Sequence, residues 1–205
     1  VSLTKGFYLG KYEVTQAQYE AVIGSNPSEF NATGNGNRPV EKVNWTEAVA
    51  FCTQLTTQEQ AAGRLPAGWA YVLPTESQWE YACRSKTTTM YSWGNDINAT
   101  RANYSGSGLS QTRDVGYYAA NPWGFFDMHG NVHEWTADRY QAAYPTGNPV
   151  VDPSGPASGS PGSSRVSRGG SWYLGGASLR SARRSSDTPS HRIFYIGFRV
   201  GFQQQ

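Results

Sequence analysis

The chain has 205 residues, of which 16% are charged and 14% aromatic, with 23 glycines and a formal net charge of +2. That length fits one domain or a tightly fused pair with a substantial core, and seven Trp with thirteen Tyr exclude a disordered chain. The near-neutral balance excludes an electrostatic case for nucleic acid, no run of 18 apolar residues offers a membrane span, and two cysteines without Cys-x-x-Cys spacing make neither a disulfide framework nor a zinc ribbon.

In chain order, residues 6–14 (GFYLGKYEV) alternate as a strand. Thr15 with Gln18 forms a capping box that opens a first helix ahead of Tyr19, Val22 and Ile23. A Gly/Asn/Ser/Pro loop over residues 24–40 precedes a second helix, opened by Asn44 with Glu47, in which Ala48, Cys52 and Leu55 recur on one face. Thr75 with Gln78 starts a third, with Trp79, Ala82 and Cys83 sharing a face. Cys52 and Cys83 therefore read as buried thiols, a Cys52–Cys83 disulfide being the alternative. Beyond residue 86 helical signals stop, and short strands alternate with loops, among them the Pro/Gly/Ser-rich segment 145–164.

Residues 165–200 obey neither helical nor strand periodicity. The stretch opens on Gly-Gly-Ser-Trp and closes on Ile196-Gly197-Phe198-Arg199, which reads as a strand. Arg180, Arg184 and Arg192 punctuate it, and are expected to anchor loops through carboxylates or carbonyls. Ile193-Phe194-Tyr195 beside Ser-His-Arg makes a poor core and a candidate binding face; a strand burying one or two of the three is the alternative. His129 and His133 lie four apart with Glu134 adjacent, but Gly130 and Asn131 between them disfavour a helix. The order is also not the His-Glu-x-x-His of zinc proteases. No Gly-x-Ser-x-Gly elbow or phosphate loop is present.

The motifs GKYEVTQAQY, RPVEKVNWTEAVAFC, LPTESQWEYACR, NPWGFFDMHGNVHEW and RVSRGGSW…GFRV occur in the order of the formylglycine-generating-enzyme (sulfatase-modifying factor) domain. The chain resembles that family over nearly its whole length. The resemblance implies one α+β domain over residues 1–205 with a loop-rich, C-type-lectin-like fold, and places the family's usual first strand upstream of Val1. The family's enzymes oxidise a substrate cysteine with copper held by two enzyme cysteines shortly after Gly-Gly-Ser, because soft Cu(I) needs thiolates. The matching segment from Trp172 to Leu179 holds no cysteine, so the expectation is no copper and no enzymatic activity. The family's calcium loop maps onto Asp127 to Glu134, which implies a structural Ca²⁺ held by Asp127, the carbonyls of Gly130 and Val132, and Glu134. A packed turn with solvated carboxylates is the alternative, and a second family site near Asn103 and Tyr104 lacks a partner acid.

The C-terminal stretch resembles one branch of the family more sharply, the variable proteins of diversity-generating retroelements. There the adenines of an RNA template are randomised, so that Asn codons become many residues. Here the frame RGGSW, Arg180-Ser181-Ala182, Arg184, Thr188-Pro189, Arg192 and Ile196-Gly197-Phe198-Arg199 persists, while the Asn slots carry other residues. Altering the adenines of AAC or AAT cannot give Lys, Glu, Gln, Met or Trp. Those types supply 33 of the 205 residues yet none in 173–195, an outcome expected roughly once in fifty from composition. The resemblance thus implies a non-enzymatic ligand-binding protein with a variable region at 165–200. Its binding residues are expected to be Tyr173, Leu174, Gly175, Ser178, Arg183, Ser185, Ser186, Asp187, His191, Ile193, Phe194 and Tyr195, a mixture suited to recognition. The expected partner is an unidentified protein or cell-surface ligand, met at the cell surface or outside the cell; the oligomeric state is open. One alternative is a degenerate or oxidase-like family member acting on protein cysteine, and another is an accessory protein with a fixed peptide partner.

Overall fold

The three capping boxes all form. In the computed structural model, which describes residues 1–144, 146–147, 149–157 and 163–205, Thr15, Asn44 and Thr75 each accept the amide of the third helical residue. Gln18, Glu47 and Gln78 each return a carboxylate or amide oxygen to the cap amide at 2.9 Å. They open α1 (Gln16–Ile23), α2 (Trp45–Ala61) and α3 (Glu76–Arg84). Satisfying amides that would otherwise lack partners at a helix start is worth about 1 kcal/mol per cap. The local code is sufficient to set all three starts.

Two small sheets complete the fold. β1 (Tyr8–Leu9), β7 (Gly201–Gln204) and β2 (Trp69–Val72) form an antiparallel sheet with β7 in the middle, so the two ends of the chain pair as Tyr8↔Phe202. The second sheet runs β5 (Ser185–Asp187), β4 (Arg165–Arg168), β3 (His133–Arg139), β6 (Ile196–Gly197), antiparallel except for β3 with β6. The strand expected over residues 6–14 shrinks to Tyr8–Leu9 because the chain bends at Lys11 and Tyr12. The strand expected over 196–199 stops at Gly197, since the Phe198 carbonyl turns to the Val14 amide and Arg199 turns inward. The loop expected over 145–164 includes residues 145, 148 and 158–162, which lie outside the described residues.

Burial divides into clusters. Val14, Tyr19, Val40, Val43, Phe51, Cys52, Trp135, Ile196 and Phe198 form the largest, with Tyr19 stacked on Phe51 at 5.5 Å and Phe198 edge-on to Phe51 at 5.2 Å. Trp79, Ala82, Cys83 and Met128 form a second, and Tyr91, Ala102 and Leu179 a third. Each fully buried large apolar side chain contributes about 1.5–3 kcal/mol. The cysteines sit in different clusters and both are free, which overturns the disulfide alternative. Burial pushes each thiol up to about 12. Among the described residues no helix is long and apolar enough to cross a membrane.

Candidate ligand-binding face

The C-terminal stretch is held chiefly by frame residues and main-chain contacts, with the side chains of Asp187, Ile193 and Tyr195 adding to them. After β4 the chain turns through Gly169 (φ +89°) and Gly170 (φ +74°); a Cβ on Gly170 would lie 2.6 Å from Leu179 Cδ1 and 2.9 Å from the Ser178 carbonyl. Only glycine fits that turn without strain. Trp172 then sits nearly buried, its amide on the Asn131 carbonyl, and Leu179, Ser181 and Ile196 are fully covered.

Between these buried points lie the twelve expected binding residues. Tyr173, Gly175, Arg183, Ser186, His191 and Phe194 are exposed; Leu174, Ser178, Ser185, Asp187, Ile193 and Tyr195 are half-buried; none is buried. Their main chain is fixed by donors from elsewhere. The Ser105 amide reaches the Leu174 carbonyl (3.0 Å), Lys42 N the Ile193 carbonyl (3.1 Å) and His133 N the Tyr195 carbonyl (2.8 Å). The Trp172 indole donates to the Phe194 carbonyl (3.4 Å), and Arg168 Nη1 donates to the Arg183 carbonyl. Ser185, Ser186 and Asp187 pair with β4 as an edge strand. Main-chain carbonyls exist whatever the side chain, so these anchors survive substitution.

The three punctuating arginines anchor as expected. Arg184 holds both Glu76 oxygens (2.7 and 2.8 Å) and the Gln141 carbonyl. Arg192 forks onto Glu47, and its hydrogen bonds hold that carboxyl below its ordinary value. Arg180 Nε caps the Ala177 carbonyl at 2.9 Å. Ile193, Phe194 and Tyr195 form a turn into β6, not a strand.

Aromatic rings crowd the centre of this face. Tyr173 and Tyr195 stack at 5.4 Å, Phe194 stands edge-on to both, and Trp172 lies beneath, 5.6 Å from Phe194. Burial, then Asp187 and Tyr173, raise the Tyr195 hydroxyl; Asp187 itself accepts from the Ser167 hydroxyl at 2.8 Å. Phe30 packs edge-on to Trp172 at 5.5 Å, and nothing in the periodicity of residues 24–40 marks it.

The calcium expectation meets a different arrangement. Glu134 is fully buried, receives Arg199 Nε and Nη2 at 2.6 Å each, and receives the Trp79 indole at 2.6 Å. Its charge is thus balanced from within the chain, and the alternative of a solvated carboxylate fails at Glu134, while Asp127 is half-buried. Asp127 accepts the Gly116 amide at 2.6 Å and is raised to about 6, chiefly by burial. Gly130 N donates to Gly169, and Val132 N donates to the buried Glu13. Of the four residues expected to hold calcium, Glu134 is thus already engaged by Arg199 and Asp127 by the Gly116 amide. His129 and His133 are held neutral by burial, at about 4. Nδ1 of each hydrogen-bonds a main-chain carbonyl, of Leu179 and Arg168 respectively.

A formylglycine-generating enzyme of Streptomyces coelicolor is 33% identical over 185 residues, covering 82% of this chain and 53% of the relative. One of Mus musculus is 31% identical, covering 80% and 44%. The chain thus spans about half the length of these curated relatives. Among solved structures, Treponema denticola variable protein 1 superposes with a TM-score of 0.85 at 33% identity, covering 99% of this chain and 86% of that one. PvdO from Pseudomonas aeruginosa shares the fold, with a TM-score of 0.81 at 23% identity over 99% and 82%. Residues 1–203 match the family described as the sulfatase-modifying factor enzyme 1-like domain, and the chain belongs to that family.

Proposed function

We propose that the chain is a non-enzymatic ligand-binding protein whose C-terminal face is diversified by a retroelement. One observation carries this reading: none of the twelve expected slots is buried and six of them are exposed, while five of the same residues lend their main-chain carbonyls to the frame. A surface built so can change its side chains without changing its backbone. The likeness to Treponema denticola variable protein 1 supports it, as does a shared fold with the Major Tropism Determinant at 14% identity and a TM-score of 0.52. Ligand affinity would then come from a few aromatic anchors, with Tyr173 and Phe194 foremost. We place the face at the cell surface or outside the cell, toward a protein or other surface ligand. Sequencing this locus in sister isolates tests the reading. Changes confined to the twelve slots, beside an Asn-rich near-copy of residues 165–200 and a reverse transcriptase, are expected. Changes scattered over the frame refute it.

The second reading, an oxidase acting on protein cysteine, is favoured by the names of the curated relatives. Against it, residues 172–179 hold no cysteine, and Cys52 and Cys83 are buried in separate clusters. Copper-dependent oxidation of a cysteine peptide would overturn the display reading.

A further inference from the structure

The frame holds one side chain beside the variable face with an effort its local fold does not require. Phe30 lies on an irregular loop and belongs to none of the three buried clusters. Yet three polar side chains fix its main chain. Gln16 Nε2 and Asn35 Nδ2 donate to its carbonyl at 3.1 and 2.9 Å, and its amide donates to Glu41 Oε1 at 2.9 Å. Gln16 and Glu41 are themselves buried, at 1% and 0% exposure.

Glu41 makes this costly. A fully buried carboxyl group with no ion pair is an expensive way to hold main-chain amides, and among the described residues its second oxygen, Oε2, has no hydrogen-bond partner. Such a group calls for an explanation in what it positions. It positions an aromatic ring, half-buried, edge-on to Trp172 and on the same pedestal as Phe194 and Tyr173. The same loop is tied to the variable turn by the Lys42 amide on the Ile193 carbonyl. Phe30 is therefore rigid, aromatic, partly open, and outside the segment that varies.

Resting on the display reading, we infer that Phe30 is a fixed member of the binding face, contacting an apolar side chain of a protein ligand whatever the variable slots carry. A preorganised aromatic ring supplies contact area with little ordering cost on binding, and a constant anchor would let the slots tune specificity around it.

The test is a cell-surface display library of the full chain, with the twelve slots randomised by the codon set of altered AAC and AAT, selected against egg-white lysozyme as the probe protein. Phe30→Ala and Phe30→Leu are then introduced into independent binders. Expected is a weakening of at least about tenfold with alanine in most binders, and less with leucine, which keeps apolar bulk. Tyr8→Ala, on the remote sheet β1-β7-β2, is expected to leave affinity unchanged. Should the alanine variant fold poorly, hydroxyl-radical footprinting of the unmutated binders decides, because Phe30 oxidation must fall on complex formation. Unchanged affinities, or a Phe30 unprotected in the complexes, overturn the inference while leaving display intact. A library that yields no binder refutes the display reading itself, and the inference with it.

Discussion

Two glycines five residues apart should respond oppositely to the same substitution. Gly170 turns the chain at φ +74°, with Leu179 Cδ1 and Cγ at 2.6 and 2.8 Å from where a Cβ would lie. Gly175 has φ −68° and no atom within 4 Å of that position. For Gly170→Ala, left-handed backbone strain adds at least about 1 kcal/mol, and forcing a carbon against buried Leu179 adds about 1–3 kcal/mol. The expected loss is about 3 kcal/mol, which for a domain of this size lowers the melting temperature by roughly 6–12 °C. For Gly175→Tyr, Gly175→Asp and Gly175→Arg the change stays within about 0.5 kcal/mol, the range of surface substitutions. Gly175→Ala even gains a few tenths through the unfolded chain, about 0.4 kcal/mol or more. Urea unfolding followed by tryptophan fluorescence reads both. A Gly175 panel that loses as much stability as Gly170→Ala would refute the claim that the frame ignores what its slots carry.

Four further outcomes follow from the geometry. Cys52 and Cys83, buried and raised to about 12, stay unreactive toward a thiol reagent at pH 8 in the native protein, and both label in denaturant. Calcium at about 2 mM leaves the melting temperature within about 1 °C of its value in chelator, since only a ligand favouring the native state raises it; a larger rise would mean that Glu134 leaves Arg199 for the ion. Arg184→Met lowers stability by about 1–2 kcal/mol because it leaves Glu76 only the longer contact to Arg168 Nε, at 3.5 Å, whereas Arg192→Met, at an exposed pair, moves the melting temperature far less. Burial raises Glu41 to about 7 from an ordinary value of 4.5, so the folded state holds that proton longer than the unfolded chain does. Its contribution is present below about pH 4.5 and lost as pH rises through 7, so Glu41→Gln should gain on the unsubstituted protein by about 3 kcal/mol between those limits, read by urea unfolding at each pH.

What could be read from the residues was what acts locally. The capping boxes at Thr15, Asn44 and Thr75 are complete within four residues, and each sets a helix start. The slots of the C-terminal stretch were legible for another reason: their residue types are ones an altered Asn codon can give, and none of the twelve is buried. The short strands were not legible. β6 has two residues and pairs in parallel with β3, more than sixty positions earlier, so its ladder depends on where the intervening chain returns. The calcium loop could be aligned by motif, yet the partner of Glu134 is Arg199, sixty-five residues away. Phe30 carried no signal because its position is set by Gln16, Asn35 and Glu41 acting on its main chain.

The same economy explains how one scaffold can serve chemistry in some relatives and, on this reading, recognition here. Arg168 is fully buried beneath the variable stretch, paired with Glu80 and donating to the Ser181 and Arg183 carbonyls. Arg199 and Glu134, the latter on β3, form a second buried pair. Both fix backbone, and neither touches a slot side chain through the hydrogen bonds described. A buried pair is a poor source of net stability compared with apolar packing, but breaking one is severe, so it specifies position strongly. A surface that must accept Tyr, Asp or Gly at the same point needs that kind of support: strong on the path of the chain and indifferent to what the chain displays.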